Sequence, residues 1–454
     1  MSSPSILRGM CGLTVASLLV ASASPARGEE LKRRGMIGVQ LQPVPGEAPD
    51  GPPGKGAMVA GIVPNSAAAE AGLEPGDRIT KIADKEVPDF QNFTVMMRAY
   101  YGGDTVELTI LRGKDKKEEL TKKITLRPRV KETSDEYEVL YDSVTAEGNR
   151  LRAYVTKPNG DGKHPAVIIV PTPQPAPLEF AGPMAEHPFR KAIAGLTKAG
   201  YVTLRIDRPG IGDSDGQDPR KTTLKMDVAA YKAGIEKLKT LPYVDGNNIF
   251  LFSHGVGSAI VALTATDAPV RGVACYAATV VRPPTQSFVE QVKRLWELET
   301  VKEEEIAKRT TMLSAYLEHC AKPGTTPGEV LTKYPELQAA LRNVGGADPE
   351  SVFGIYKSYY QDLAGTDFVA TWGKVTAPVI SLWGEADFQA NKDDCEAIAK
   401  AAKKGEFKSL QGIDHVCNKA EDQEDSYLSG MQGGDFNPII VETLVEWMKK
   451  NSKS

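Results

Sequence analysis

The 454-residue sequence predicts an α/β protein: a mostly parallel sheet with helices on both faces and a helical cap, preceded by a small β-rich domain. Three observations carry this expectation. Across residues 137–450, apolar strand-like runs alternate with amphipathic helical stretches, the pattern of a parallel sheet covered by helices. Across residues 282–372 the alternation gives way to helical periodicity, which reads as an insertion over the C-terminal ends of the strands. Residues 35–128 instead hold short strands separated by Gly, Pro and Asn turns.

The bulk numbers fit two or three domains. Hydrophobic residues make up 41% and charged residues 25%, a globular composition that supports a sizeable core. A net charge of −4 gives no concentrated basic face, so nucleic acid is not an expected partner. The basic run at 114–117 is followed by Glu118 and Glu119 and reads as a solvated hairpin tip. Residues 1–26 read as a signal peptide: Arg8 supplies charge, 12–21 is an apolar run too short for an ordinary membrane span, and Ala21-Ser22-Ala23 or Ser24-Pro25-Ala26 offers a cleavage site. The expectation is an exported protein, periplasmic or extracellular, with no membrane span after cleavage. Cys11 precedes the apolar run and is wrongly placed for lipidation. Cys275, Cys320, Cys395 and Cys417 remain, in a spacing that matches no zinc signature. Cys275, in an apolar run, reads as a buried thiol.

In chain order, residues 35–41 read as a turn entering a strand, and 56–63 as a second strand. Pro64-Asn65-Ser66 caps a short helix at 67–71, which Gly72 ends. A turn at 73–77, a strand at 78–82, a helix at 90–100 and a strand at 105–111 follow. The Pro- and Gly-rich stretch 43–55 reads as a mobile insertion. Two runs carry a family resemblance: Arg34-Gly35-Met36-Ile37-Gly38-Val39, and Pro64-Asn65-Ser66-Ala67-Ala68-Ala69-Glu70-Ala71-Gly72-Leu73-Glu74-Pro75-Gly76-Asp77-Arg78-Ile79. On these, residues 35–128 resemble a PDZ domain of the bacterial periplasmic protease type. The resemblance implies a peptide or protein C-terminus bound as an added strand, its carboxylate cradled at Gly35, Met36, Ile37 and Gly38, with the 90–100 helix as the other groove wall.

Charged residues 129–136 mark a boundary. Runs at 137–144 and 151–155 alternate around Glu147-Gly148-Asn149, a hairpin signal. Strands are expected at 166–170, 201–206, 249–252, 270–276, 378–383 and 407–410. Helices are expected at 189–198 and 223–239, and a closing one at 438–448. The insertion reads as helices at 288–298, 303–320, 327–334 and 349–363.

The run 249–260 is apolar, turns sharply through small residues and continues as a helix. This is the strand–turn–helix of a nucleophile elbow, G-x-S-x-G, aligned as Ser253-His254-Gly255-Val256-Gly257. The position that should be serine is Gly255. With the loop 205–216, the strand end Leu382-Trp383-Gly384-Glu385-Ala386-Asp387 and the turn Gly412-Ile413-Asp414-His415, the elbow makes residues 137–450 resemble the α/β-hydrolase fold, in its capped serine aminopeptidase-like and esterase-like branch. The order nucleophile, acid, histidine then falls on Gly255, Asp387 and His415. The resemblance makes His415 the general base and Asp387 its orienting partner, and gives the Val256 N–H as an oxyanion donor. Asp414 reads as a turn residue, and Asp213 and Asp215 as makers of turn hydrogen bonds.

Glycine offers no attacking oxygen, so no acyl-enzyme forms at Gly255. Ser253 lies on the strand side of the turn and Ser258 in the first helical turn. An elbow residue other than glycine is strained by about 1–3 kcal/mol, so Ser→Gly is a stabilising change once catalysis is not needed. The loop 171–177, Pro-Thr-Pro-Gln-Pro-Ala-Pro, replaces the family's His-Gly-type oxyanion turn, and proline has no N–H to donate. Losing one oxyanion donor costs about 10²–10³ in rate. Asp387, Asp393, Asp394, His415 and Cys417 match no metal-ligand spacing, and 421–425 reads as a solvated acidic loop. The sequence thus points to a pseudo-hydrolase that needs no cofactor. It would bind peptides at the first domain and a small-molecule or peptide ligand in the second. The alternative is an active esterase or peptidase that uses His415 and Asp387 with a nucleophile not recognised in the sequence.

Overall fold

A computed structural model of the protein describes residues 30–45, 54–113, 118–216, 218–342, 348–431 and 435–453. The expected signal segment 1–26, the basic run 114–117 and most of the expected insertion at 43–55 lie outside the described residues.

The large sheet has eight strands, β1 (Tyr137–Ala146), β2 (Asn149–Pro158), β3 (His164–Val170), β4 (Val202–Ile206), β5 (Val244–His254), β6 (Gly272–Tyr276), β7 (Val379–Gly384) and β8 (Gly405–Leu410). Their spatial order is β1-β2-β4-β3-β5-β6-β7-β8. The β1–β2 hairpin turns through Glu147 and Gly148, both at positive φ (47° and 77°), the geometry of the tight two-residue turns that match strand twist. β2 is antiparallel to β4, and every later pairing is parallel. The parallel strands β3, β6 and β7 are apolar on both sides because both are covered, while the edge strand β8 is largely exposed. In β3, Ala166, Ile168 and Val170 pack into one layer, Val167 and Ile169 into the other. Helices Leu224–Thr240, Gly257–Asp267, Phe368–Trp372 and Lys392–Ala401 cover the first side, and Pro188–Lys198 and Ile439–Asn451 the second.

Between β6 and β7 the chain forms helices Pro284–Leu298, Glu303–Cys320, Pro327–Leu331, Pro335–Arg342 and Lys357–Ala364. The helix expected at 349–363 begins instead as a small hairpin, Ser351–Val352 against Ile355–Tyr356. Its turn needs positive φ at Phe353 (49°) and Gly354 (78°), and a bulky residue there gives no sequence signal. The helix expected at 327–334 ends at Leu331, and Pro335 opens a further helix that the sequence reading did not include. This cap is anchored to the sheet layer by Tyr359, whose hydroxyl donates to Asp227 Oδ2 at 2.9 Å, and by Arg282, which pairs with buried Asp394. The acidic 421–425 stretch is a helix start, not a loop. Asp422 caps Gln423–Leu428 by accepting the Asp425 N–H.

The first domain is an antiparallel sheet in the order Val39–Val44, Gly54–Ile62, Arg78–Ile82, Thr105–Arg112, Glu118–Thr125. Strand residues reach Val44 and resume at Gly54, so the ends of the 43–55 stretch are ordered ladder rather than insertion. Ser66 caps the helix Ala67–Glu70 by accepting the Ala69 N–H. The second helix, Phe90–Met97, stops before the expected Tyr100. Arg98 caps it, and the chain turns so that the Tyr100 carbonyl can accept the Gly35 N–H.

Asp213 joins the two domains. It was expected to make turn hydrogen bonds, yet its buried carboxylate meets Arg33 at 2.6 Å, Arg152 at 3.2 Å and the Arg34 N–H at 2.8 Å. Glu179 binds Arg33 and Arg129 beside it. Asp215, also expected in a turn, pairs with Arg150 at 2.9 Å.

Candidate active site

Gly255 sits at the tip of β5 with φ +57°, the left-handed region that an elbow residue must adopt. A Cβ at Gly257 would come within 2.1 Å of the Val170 carbonyl, so the elbow needs glycine there for a packing reason alone. A Cβ at Gly255 would meet something else: the Thr172 Oγ1 at 2.2 Å. The Thr172 hydroxyl therefore fills the space of the missing serine. It donates to the His254 carbonyl at 3.3 Å and accepts the Val256 N–H at 3.2 Å. Val256 thus keeps its N–H, but the donor is already engaged by the chain's own hydroxyl.

The other half of the site is intact. The His415 Nδ1 lies 3.0 Å from Asp387 Oδ2 and 3.2 Å from Oδ1. Asp387 is fully buried and also accepts the Gln389 and Ala390 N–H groups, which fix its orientation. With Nδ1 committed, Nε2 is the nitrogen available for chemistry. Burial pulls the His415 pKa down, but the charge and hydrogen bond of Asp387 outweigh it and the net shift is upward. Asp414 is a turn residue: its Oδ1 accepts the N–H groups of Val416 and Asn418.

Neither nearby serine reaches the elbow. Ser258 Oγ donates to the Thr279 carbonyl at 3.0 Å, and Ser253 is fully buried in β5. Of the residues weighed as metal ligands, Asp394 is bound by Arg282, Ser287 and Asn391, and Cys417 is a buried thiol. Cys275, Cys320 and Cys395 are buried free thiols as well.

Thr172 and His415 line one cavity of about 250 Å³. Sequence reasoning missed most of its wall. Phe180, His187 and Phe189 stack in sequence, with ring centroids 5.1 and 5.7 Å apart. Phe189 then meets the edge of His254, whose ring lies 4.5 Å from that of His415. His254 Nε2 is 2.8 Å from the His415 carbonyl. Burial, then the neighbouring His415, pushes the His254 pKa down to about 3, so this ring stays neutral. Three of the chain's five histidines thus meet at one cavity, and that scarcity was the signal available in the sequence. The Thr172 hydroxyl had no such signal, because its role depends on how the loop folds back over β5.

In the first domain, Gly35 and Met36 pair with Pro128 and Arg127. Ile37 is in the core, and Gly38 has φ +84° with its Cβ position only 2.2 Å from the Ser66 side chain. The four expected cradle residues therefore lie between the Tyr100 turn and the short helix.

Comparison with known proteins agrees with both domains. A PDZ domain profile matches residues 35–124, and the serine aminopeptidase S33 profile matches residues 185–418, just over half of the chain. The chain is similar to the esterase EstD of Thermotoga maritima, at 23% identity over 307 residues, covering 66% of either protein. Over 86 residues it is 34% identical to the magnetosome formation protease MamE of Magnetospirillum gryphiswaldense, covering 18% of this chain and 11% of that one. The solved structure of Est1E from Butyrivibrio proteoclasticus with ferulic acid aligns at TM-score 0.43 and 18% identity, over 68% of this chain and 98% of that one. The strand order, the elbow and the profile together place the chain in the serine aminopeptidase S33 family of α/β-hydrolases, with a PDZ domain ahead of the hydrolase domain.

Proposed function

We propose that the protein is an exported pseudo-hydrolase that acts by binding. The first domain would take peptide chain ends and the cavity a small ligand, with little or no acyl transfer. One observation carries this reading: the Thr172 hydroxyl occupies the serine position and consumes the Val256 N–H that would face an oxyanion. Both the attacking atom and one stabilising donor are then lost. Export rests on the pattern of residues 1–26. Amino-terminal sequencing of the secreted fraction checks it, and a mature chain that still begins at Met1 would sink it.

A second reading has its own support. The His415–Asp387 pair is complete, and Thr172 puts a hydroxyl at the elbow on the same cavity. In that reading Thr172 is the nucleophile of an active esterase or peptidase.

Fluorophosphonate labelling with mass-spectrometric site mapping, run beside hydrolysis of a short-chain aryl ester, separates the two. The binding reading expects an unlabelled native protein. It expects weak labelling of Gly255→Ser, where Thr172 still crowds the new side chain, and labelling about tenfold faster or more in Gly255→Ser with Thr172→Ala. Label on Thr172 in the native protein, with ester turnover, overturns it in favour of the second reading.

A further inference from the structure

The cavity that Thr172 and His415 share has a second polar end, which acyl chemistry does not use. His187 caps the helix Pro188–Lys198, its ring Nδ1 accepting the Phe189 N–H at 3.2 Å. Ser, Thr, Asp or Asn usually caps a helix start. Imidazole does so with one nitrogen and keeps the other. A neutral ring that accepts at Nδ1 carries its proton on Nε2. Burial lowers the His187 pKa, which favours that neutral ring. Both faces of the ring stack, on Phe180 and on Phe189, and Nδ1 is turned to the backbone, so the free edge carries Nε2. Among the described residues nothing bonds Nε2, and it is not closed to solvent. His187 lines the cavity and offers it one N–H donor.

The wall beside this donor is a ladder. The Arg205 guanidinium lies 5.5 Å from the Phe180 centroid, and Phe180, His187 and Phe189 follow. Rings stacked in this way turn their edges to the cavity. Those edges are the positive part of the ring quadrupole and favour the electron-rich face of an aromatic guest. The ladder ends on His254, 4.8 Å from Phe189, and His254 leads to His415. His415 Nε2 is the polar group at that end. A guest hydroxyl serves it in either protonation state, donating to the neutral ring and accepting from the charged one.

Among the described residues lining the cavity, no charge is left unpaired. Arg205 binds Glu132 and the Leu178 carbonyl through Nη1, and its Nε is closed to solvent. His254 stays neutral, and Asp387 balances His415. An anionic guest would lose its water with no free cation to meet it. Pro171 and Thr172 of the proline-rich strap 171–177, with Ile169 and Ile193, line the rest of the cavity. Its volume of about 250 Å³ holds one substituted ring.

We propose that this cavity takes a neutral single-ring aromatic compound carrying both a hydroxyl, for His415 Nε2, and a carbonyl oxygen, for the His187 Nε2–H, and that His187 selects for the carbonyl. The proposal rests on the binding reading above and names the class of its small ligand.

The test uses the full chain and four rings of matched size. These are 3-hydroxyacetophenone, 3-ethylphenol without the carbonyl, 3-methylacetophenone without the hydroxyl, and the charged 3-hydroxybenzoate. NMR titration at neutral pH gives the affinities. 3-Hydroxyacetophenone should bind about three- to tenfold more tightly than each of the others and shift the His187 and His415 ring signals. Its advantage over 3-ethylphenol should vanish in His187→Asn, which keeps a capping side chain, and in His187→Phe, which keeps the stack. An equal loss for both compounds, with their ratio kept, would show a purely structural role for His187 and overturn the assignment. So would 3-hydroxybenzoate binding as tightly as 3-hydroxyacetophenone, or ring signals that do not respond. Lack of binding by all four overturns the ligand class and leaves the loss of acyl transfer, which fluorophosphonate labelling decides, untouched.

Discussion

The two halves of the candidate site are built differently. In the loops after β7 and β8, Asp387 holds His415 by Nδ1 and is itself held by two backbone N–H groups. At the end of β5 the central elbow position is glycine, and the hydroxyl of Thr172, 83 positions away from Gly255 in the chain, fills the space beside it and accepts the Val256 N–H. The difference follows from what each half is made of. The histidine arm is a set of side chains buried against one another, and deleting any one leaves an unmet polar group or charge. The elbow is a backbone turn. Its geometry is set by glycines and by close approach to β3, and it needs no side chain at position 255.

That contrast can be broken or sharpened in three ways. The largest effect is expected at the elbow backbone. Gly257→Ala drives a Cβ to 2.1 Å from the Val170 carbonyl, a contact that no side-chain rotation relieves. Thermal unfolding should show a loss of about 3 kcal/mol, a fall in Tm on the order of 10 °C. A change within a degree or two would mean the elbow is not held by backbone packing.

Next comes the histidine arm. Asp387→Asn removes the charge that raises the His415 pKa and leaves burial, which lowers it. An NMR titration should therefore find the His415 ring above the usual ~6.5 in the native protein and below it in the variant. The sign carries into stability. A raised histidine pKa contributes stability that is fully present below the unfolded value and lost as pH rises through the folded one. The native protein should then lose part of its advantage over Asp387→Asn as pH climbs past neutrality. An unmoved titration would show that the pair is not coupled.

The smallest effect is at Thr172. Thr172→Ala leaves the Val256 N–H without its acceptor but opens the turn to the cavity, so the cost should be about 1 kcal/mol, visible as faster exchange of the Val256 amide. Unchanged exchange would show that Thr172 does not occupy the elbow in solution.

Much of this was legible in the sequence because it is local. The β5 run, the small residues of the turn, Gly255 itself and the four prolines of the strap can be read within a dozen residues of one another or along one loop. His415 and Asp387 followed from family order. What escaped notice is what distant segments do to each other. Asp213 looks like any turn aspartate until the fold sets it beside Arg33, 180 positions away. The hairpin at 351–356 replaces a helical start because Phe353 accepts a positive φ that its side chain disfavours. The Thr172 hydroxyl belongs to both kinds: its loop was visibly unusual, but its destination was not.

The Asp213 contact also bears on how such a protein can evolve. Domains that recombine freely are joined by linkers that few contacts cross. Here one carboxylate serves Arg152 within the sheet, and Arg33 and the Arg34 N–H at the edge of the neighbouring domain. Separating the two domains would strand charges on both sides. On the peptide-binding reading proposed above, a chain end captured by one half is held beside the other half's cavity at an effective concentration of about millimolar. On the binding reading proposed above, that advantage needs no cleavage chemistry.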